Sequence, residues 1–436
     1  MKIYSIGYFL MREVVRIPYN LFYRKINIIG KENIPTNKPI IFAPNHQNAM
    51  MDPLAMIFST PKQIVFLARG DIFKGKNVIR GLTFLKILPV YRQHDGKAAL
   101  RKNEAVFDES VDYLRNFGAF CLFPESIHNP HRNLRPLKKG IPRIAFMALQ
   151  RTNYELDIQI IPTGIYYEDK DNSDSYLQVK YGKPIPVRDY IEQIKENEQK
   201  AMSVLSKDME PHIKPLIIDI EENENYEYIE KIRSLYSGQL MKRFLVRIND
   251  ENRFKMDQVL IEYIKEKELS INLKKNIDDL YEKLKQKKWT ERTLLNSDSL
   301  AKNFVKVLLF ILFLPLAIQG GIMNVLPFAL SKYLRTKVIK DPQFTSSIKF
   351  SVGGIIMPIY FLIISLISLI FIDYYWSLLV LFLSPVGAYI SYSYFKKLSY
   401  FRNLVSFKKA NDKKEIEELM NNIYSDLDLM FEGFRY

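Results

Sequence analysis

Three stretches near the C-terminus, residues 307–331, 352–372 and 374–395, contain no charged side chain. Each reaches the roughly 20 residues that a helix rising about 1.5 Å per residue needs to cross the hydrocarbon of a bilayer. The second and third are separated by Asp373 alone, with Tyr374, Tyr375 and Trp376 where an interfacial aromatic belt belongs. Residues 352–395 therefore read as a transmembrane hairpin. The first stretch is interrupted by Pro315, Gln319, Gly320, Gly321, Asn324 and Pro327, so residues 301–335 are expected to form a re-entrant or broken membrane segment. Lys332, Arg335, Lys337, Lys340 and Lys349 follow it, and Lys396, Lys397, Arg402, Lys408 and Lys409 follow the hairpin. Positive residues beside membrane segments favour the cytoplasmic side. Only an even number of crossings keeps both clusters and the basic N-terminal region together there. The tail, residues 396–436, is accordingly expected in the cytoplasm, with the rest of the soluble chain on the cytoplasmic face of the cell inner membrane.

The formal net charge is +15, carried by the first 189 residues and the C-terminal third, whereas residues 190–300 are slightly acidic. A basic surface next to apolar spans suits an anionic membrane or an anionic substrate. Nucleic acid is not expected as a partner, because no binding module is recognisable. The single cysteine, Cys121, excludes an intramolecular disulfide and ties the chain to no oxidising compartment. No short apolar core followed by a small-residue cleavage site opens the sequence, so no secretory signal is expected. Residues 1–27 mix Tyr, Phe, Leu, Ile and Val with Arg12, Arg16, Arg24 and Lys25, which suits a helix lying in the membrane interface.

Between residues 28 and 189 short apolar runs alternate with helical patterns. Strands are expected at 40–43, 64–68, 88–90, 119–123, 158–164 and 177–181, and helices at 97–117 and 142–150. That alternation predicts an α/β domain with a largely parallel central sheet. Residues 190–300 form a charged helical region with Leu, Ile and Tyr at helix spacing and no chemical motif.

One segment points to chemistry. The run Asn45-His46-Gln47-Asn48-Ala49-Met50-Met51-Asp52 follows an apolar strand and offers an imidazole with a carboxylate six residues on. An imidazole accepts a proton from an alcohol at neutral pH, and a carboxylate on its other nitrogen fixes the tautomer and stabilises the cation. Acyl transfer from a thioester to a hydroxyl needs that much from side chains, since the acceptor oxygen is itself the nucleophile. Taken alone, the pair is weak evidence, and a structural histidine is the better reading of it. A zinc site built from His46, His128 and His131 with Glu125 or Asp52 lacks any recognised ligand spacing. Cys121 lies within an apolar strand, where a cysteine is ordinarily buried and inert. No Gly-x-Ser-x-Gly elbow is present, which argues against a serine lipase.

The same segment resembles motif I of the glycerol-phosphate/lysophosphatidate acyltransferase superfamily, Asn-His-x4-Asp, with one additional residue before Asp52. This lengthened form is similar to the block in some bacterial and fungal glycerol-phosphate acyltransferases. Three further blocks follow in the family's order. Residues 85–92, ending in Arg92, are similar to motif II, whose arginine the family links to the acceptor phosphate. Phe123-Pro124-Glu125-Ser126 resembles motif III, with Ser126 where glycine is usual. The arginine that many members place shortly after it is missing, leaving His128, Arg132 or Lys138 as substitutes. Ile161-Pro162-Thr163-Gly164 looks like motif IV, an apolar strand end near the acyl chain.

The resemblance, which covers roughly residues 28–187, implies an α/β fold and an O-acyltransferase. Its donor would be acyl-CoA or acyl carrier protein, and its acceptor glycerol 3-phosphate, 1-acylglycerol 3-phosphate or another lysolipid such as an amino-acid-based one. His46 and Asp52 would be catalytic, and Arg92, Glu125, Ser126, His128 and Lys138 would bind substrate, with no metal and no cofactor. A lipid-binding protein with a degenerate domain is the alternative, although lipid binding alone needs no base–carboxylate pair.

Overall fold

The computed structural model describes residues 4–91, 97–127, 129–295 and 300–434. Two compact units make up the chain: residues 1–219 with 334–354, and residues 220–333 with 355–436.

The first unit opens with helix α1 (Ile6–Phe22), capped by the Ser5 side chain on the Tyr8 amide. Strand β1 (Lys25–Ile29) and strand β2 (Ile40–Pro44) follow, then α2 (Met51–Ser59), β3 (Ile64–Arg69), α3 (Lys76–Phe84) and β4 (Ile87–Val90). Next come α4 (Lys97–Arg115), β5 (Ala119–Cys121), α5 (Gly140–Arg151), β6 (Gln159–Tyr167), β7 (Tyr176–Tyr181), β8 (Ile185–Pro186) and α6 (Ile191–Ile213). The sheet order is β1-β7-β6-β2-β5-β3-β4, with β8 also pairing β6. Strands pair in parallel except where β6 meets β7 and β8. The expected mostly parallel α/β sheet is present, with every strand foreseen from the sequence. Strands β1 and β8 are additional: β1 follows a basic residue and is interrupted by Asn27, and β8 has only two residues.

The period-two alternation of strand side chains divides the core between the two faces of the sheet. Ile41, Ala43 and Ile160 pack with α5, α6 and the end of α4 on one face. Ile40, Phe42, Ile161, Ile165 and Tyr167 pack with Tyr19, Tyr23 and α2 on the other. Strand β2 is buried on both faces, so it reads as a continuous apolar run rather than an alternating one. It is also central in the sheet, and its C-terminal end delivers residues 45–52.

The second unit is helical: α7 (Tyr226–Arg243), α8 (Asp250–Lys265), α9 (Ile271–Lys287), α10 (Glu291–Leu294), α11 (Leu300–Met323) and α12 (Val325–Tyr333). The chain then passes through the first unit, where α13 (Thr345–Ser351) lies, and continues as α14 (Met357–Ser368), α15 (Tyr374–Lys408) and α16 (Lys413–Met430). Within this unit α7 and α8 are joined by a buried ion pair, Arg233 Nη1 to Asp257 Oδ2 at 2.7 Å. Three segments, Phe304–Met323, Pro342–Ser368 and Tyr374–Lys408, are long and apolar enough to cross a membrane. Helix α11 runs through Pro315 and stops at Asn324, whose side-chain amide donates to the Gly320 carbonyl at 2.8 Å. Gly320 itself lies against the Gly387 backbone of α15, an approach that any β-carbon would block. Small residues at such crossings let membrane helices pack closely.

Candidate active site

The site is assembled where β2 ends. Asn45 fixes the exit of the strand: its side-chain amide donates to the Ile165 carbonyl at 3.1 Å, and its side-chain oxygen accepts the Ile165 amide at 2.7 Å. Both backbone polar groups of His46 are then held by the segment after β5. Its N–H donates to Glu125 Oε1 at 2.8 Å, and its carbonyl accepts the Asn129 amide at 2.8 Å. The imidazole lies on the Phe123 ring, with centroids 4.1 Å apart and 23° between planes. These contacts leave the ring one position, with 15% of the side chain exposed.

Asp52 reaches it. His46 Nδ1 is 2.8 Å from Asp52 Oδ2, and Asp52 is fully buried. The same oxygen accepts the amides of Gln47 and Asn48, each at 2.7 Å, while Oδ1 accepts the Tyr167 hydroxyl at 2.7 Å. A carboxylate with this many donors is held in one orientation. The added residue of the motif is absorbed before α2, in a turn where Ala49 adopts φ 31°, in the left-handed region that residues other than glycine rarely visit. Asp52 thereby enters the first turn of α2 facing back along the chain. Burial, and then the Asp52 charge, hold the Tyr167 hydroxyl well above its ordinary pKa, so it remains a donor.

Glu125 points inward instead of towards solvent. Its second oxygen accepts the Arg135 amide at 3.2 Å, so the carboxylate bridges the His46 turn and the 134–139 loop. Burial pushes its pKa up to about 7, against the opposing effect of the two amide donors and of His46. Ser126 follows with φ 65° and an exposed side chain, which explains why the common form of the motif places glycine there. The Lys138 amide donates to the Pro124 carbonyl at 2.8 Å, and its side chain is exposed. Arg132 donates to the Glu168 carbonyl at 3.3 Å and lies over the Tyr166 ring. Arg92 and His128 lie outside the described residues.

Cys121 is buried in β5, where burial holds its thiol well above its usual pKa, so it stays protonated within the sheet. In motif IV, Gly164 permits the backbone of Leu216 to lie against β6, where a β-carbon would collide with the Leu216 carbonyl.

The structure therefore brings His46, Asp52, Glu125 and Ser126 into one neighbourhood. It gives roles to Asn45 and Asn48 of the same run, and adds Tyr167, which carries no sequence signal beyond its place at the end of β6.

Residues 25–166 match the family model described as Acyltransferase. A 1-acyl-sn-glycerol-3-phosphate acyltransferase of Borreliella burgdorferi is 28% identical over 140 residues, which is 32% of this chain and 54% of that protein. Glycerol-3-phosphate O-acyltransferase 2 of Saccharomyces cerevisiae is 24% identical over 330 residues, 70% of this chain and 43% of that protein. The chain thus spans about half the length of these curated relatives. Among solved structures, the 1-acyl-sn-glycerophosphate (LPA) acyltransferase PlsC of Thermotoga maritima aligns with a TM-score of 0.33 and 20% identity, covering 47% of this chain and 79% of that one. The segment from residue 25 to residue 166 is therefore similar to the Acyltransferase family, and the curated proteins it resembles include a 1-acyl-sn-glycerol-3-phosphate and a glycerol-3-phosphate acyltransferase.

Proposed function

We propose that this chain is a membrane-bound O-acyltransferase that moves a fatty acyl group from a thioester, acyl-CoA or acyl carrier protein, to glycerol 3-phosphate or 1-acylglycerol 3-phosphate. The observation that carries the reading is the 2.8 Å contact between His46 Nδ1 and the buried Asp52 carboxylate. With Nδ1–H donated to Asp52, the acceptor hydroxyl gives its proton to Nε2 on the opposite edge of the ring. The freed oxygen forms a bond to the thioester carbonyl carbon, whose π electrons move onto the oxygen. Collapse of that tetrahedral species expels the thiolate, which takes the proton back from the imidazolium. The ester and the free thiol are the products, and the ring returns to its starting state. Asp52 stabilises the imidazolium throughout. Arg92, by the resemblance of its motif, holds the acceptor phosphate, with help from the basic residues between His128 and Lys139. Ser126 presents its exposed side chain at the same rim, and Glu125 keeps the His46 turn in place.

The segment 301–335 enters the membrane along α11, breaks at Asn324 and returns without crossing, and 352–395 forms the hairpin, leaving the catalytic domain on the cytoplasmic face beside an anionic surface. Two observations support this. Helix α11 breaks at Asn324, and residues 345–350, which follow that segment in the chain, belong to the same compact unit as residues 1–219, which precede it. A true crossing between them would separate the two in different compartments.

Purified protein in detergent, offered a panel of acceptors with acyl-CoA and acyl carrier protein, tests the reading. The panel includes glycerol 3-phosphate, 1-acylglycerol 3-phosphate and an amino-acid-based lysolipid. Transfer to one of the glycerophosphates is expected. Transfer to none would refute the proposal, and transfer only to the amino-acid lipid would replace its acceptor.

A further inference from the structure

The turn that lengthens the His46–Asp52 motif is held from almost 300 residues away in the chain. Ser346 donates its hydroxyl to Asn48 Oδ1 at 2.6 Å, and both residues are buried. The Met50 amide donates to Ser347 Oγ at 3.2 Å. Lys349 donates to the Asp171 carbonyl at 2.9 Å and to Asn172 Oδ1 at 2.6 Å, in the loop whose Lys170 carbonyl accepts the other side of Asn48 at 2.8 Å. Phe350 is inserted between Tyr19 and Phe22, with both rings edge-on at about 6 Å, and belongs to the same core cluster as Met51 and Phe42.

We propose that residues 345–350 are a strap that positions the catalytic turn, with Ser346 and Ser347 as its positioning residues. The route is continuous. Ser346 fixes the Asn48 side chain, the Asn48 amide donates to Asp52 Oδ2, and that oxygen holds His46 Nδ1. The need arises in the turn itself. With Ala49 in the left-handed region and one residue more than the common motif, the turn contains a Met50 amide and an Asn48 side chain that its own backbone does not satisfy. A buried polar group without a partner destabilises the conformation that contains it. The strap supplies both partners. It also lies within the apolar segment Pro342–Ser368 that continues into α14, so the turn's support and a candidate membrane segment are one stretch of chain. The inference deepens the acyltransferase reading and rests on it for its catalytic consequence, although the contacts stand independently.

The test uses the full-length protein in detergent, comparing wild type with Ser346→Ala, Asn48→Ala and the double variant. Steady-state acyl transfer gives kcat and KM for donor and acceptor. Hydrogen–deuterium exchange gives the protection of the 46–52 amides. Loss of one buried hydrogen bond in this chain should lower kcat about tenfold while leaving both KM values close to wild type. The double variant should lose no more than Asn48→Ala alone, because the two side chains act through one contact. Exchange over 46–52 should accelerate in each variant. Unchanged kcat together with unchanged exchange in Ser346→Ala would overturn the strap, as would additive losses in the double variant. Should Ser346→Ala fail to fold, Lys349→Met, which releases the strap from the 169–172 loop, should show the same accelerated exchange; an unaltered profile would overturn the proposal. If wild type transfers no acyl group at all, the enzymatic reading falls while the exchange measurements still decide the strap.

Discussion

The Tyr167 hydroxyl donates to Asp52 Oδ1 at 2.7 Å, on the carboxylate oxygen opposite the one that holds His46. Asp52 is thus gripped on both oxygens, and its orientation towards the imidazole depends on the last residue of β6 as much as on its own turn. Tyr167→Phe keeps the ring in the core and removes the donor. We expect a fall in kcat of roughly tenfold, the effect of one buried hydrogen bond to a charged group, with little change in the KM of the donor. Equal kcat values for variant and wild type would show that the two amides at Oδ2 suffice.

His46→Ala removes the proposed base. Its ring packs on Phe123 but contributes little to the core, so the variant should fold with a near-native melting temperature and lose on the order of 10²- to 10⁴-fold in rate. Asp52→Asn should fold less well, because its buried carboxylate accepts two amides and a hydroxyl that a carboxamide cannot all satisfy. Full activity of folded His46→Ala would end the general-base mechanism.

Glu125 predicts a pH dependence of stability. Its carboxyl is raised from an ordinary 4.5 to about 7 by burial. A raised folded-state value means that the folded protein holds the proton where the unfolded chain has released it. The stabilising contribution is complete below about 4.5 and is lost as pH rises through 7. Over that window the folded domain should lose up to roughly 3 kcal/mol from this group. Glu125→Gln cannot ionise, so its unfolding midpoint should vary less between those pH values. Identical slopes in wild type and variant, measured by chemical denaturation at several pH values, would remove the titration from Glu125.

Ser126 stands at φ 65° with its side chain exposed. Replacing it with glycine relieves left-handed strain worth about 1 kcal/mol, partly offset by the greater freedom of glycine in the unfolded chain. Ser126→Gly should therefore match or slightly exceed wild type in melting temperature. If the variant also keeps the acceptor KM of wild type, the serine hydroxyl has no part in binding substrate.

Gly164→Ala tests the packing of motif IV. The new β-carbon would meet the Leu216 backbone, which cannot rotate away as a side chain would. A loss of about 1–3 kcal/mol in stability is expected from this overpacking. A wild-type unfolding curve would mean that the segment after α6 moves freely from the sheet.

Much of this arrangement was legible in the sequence because its signals are local. The apolar run 40–43 reads as a central strand, and the His46–Asp52 spacing marks a base with its carboxylate. What spacing could not give was whether Asp52 reaches the ring, since that depends on Ala49 adopting a backbone conformation that alanine rarely prefers. Tyr167 was silent for another reason: a tyrosine at a strand end looks like any core aromatic until its hydroxyl finds a partner. Glu125 was expected to face the acceptor, whereas its oxygens accept the His46 and Arg135 amides, a role that only the folded loop defines. Ser346 and Ser347 precede an apolar run and carry no sign of a partner some 300 residues earlier. Contacts of that separation leave no trace in local periodicity.

The strap also sets an order of events during synthesis. Residues 1–219 leave the ribosome well before residues 345–350 do, and the segment 304–323 must meet the bilayer in between. A nascent domain would have its sheet complete but its lengthened turn unsupported. Under the proposed function, acyl transfer would reach its full rate only once the later segments have been made and inserted.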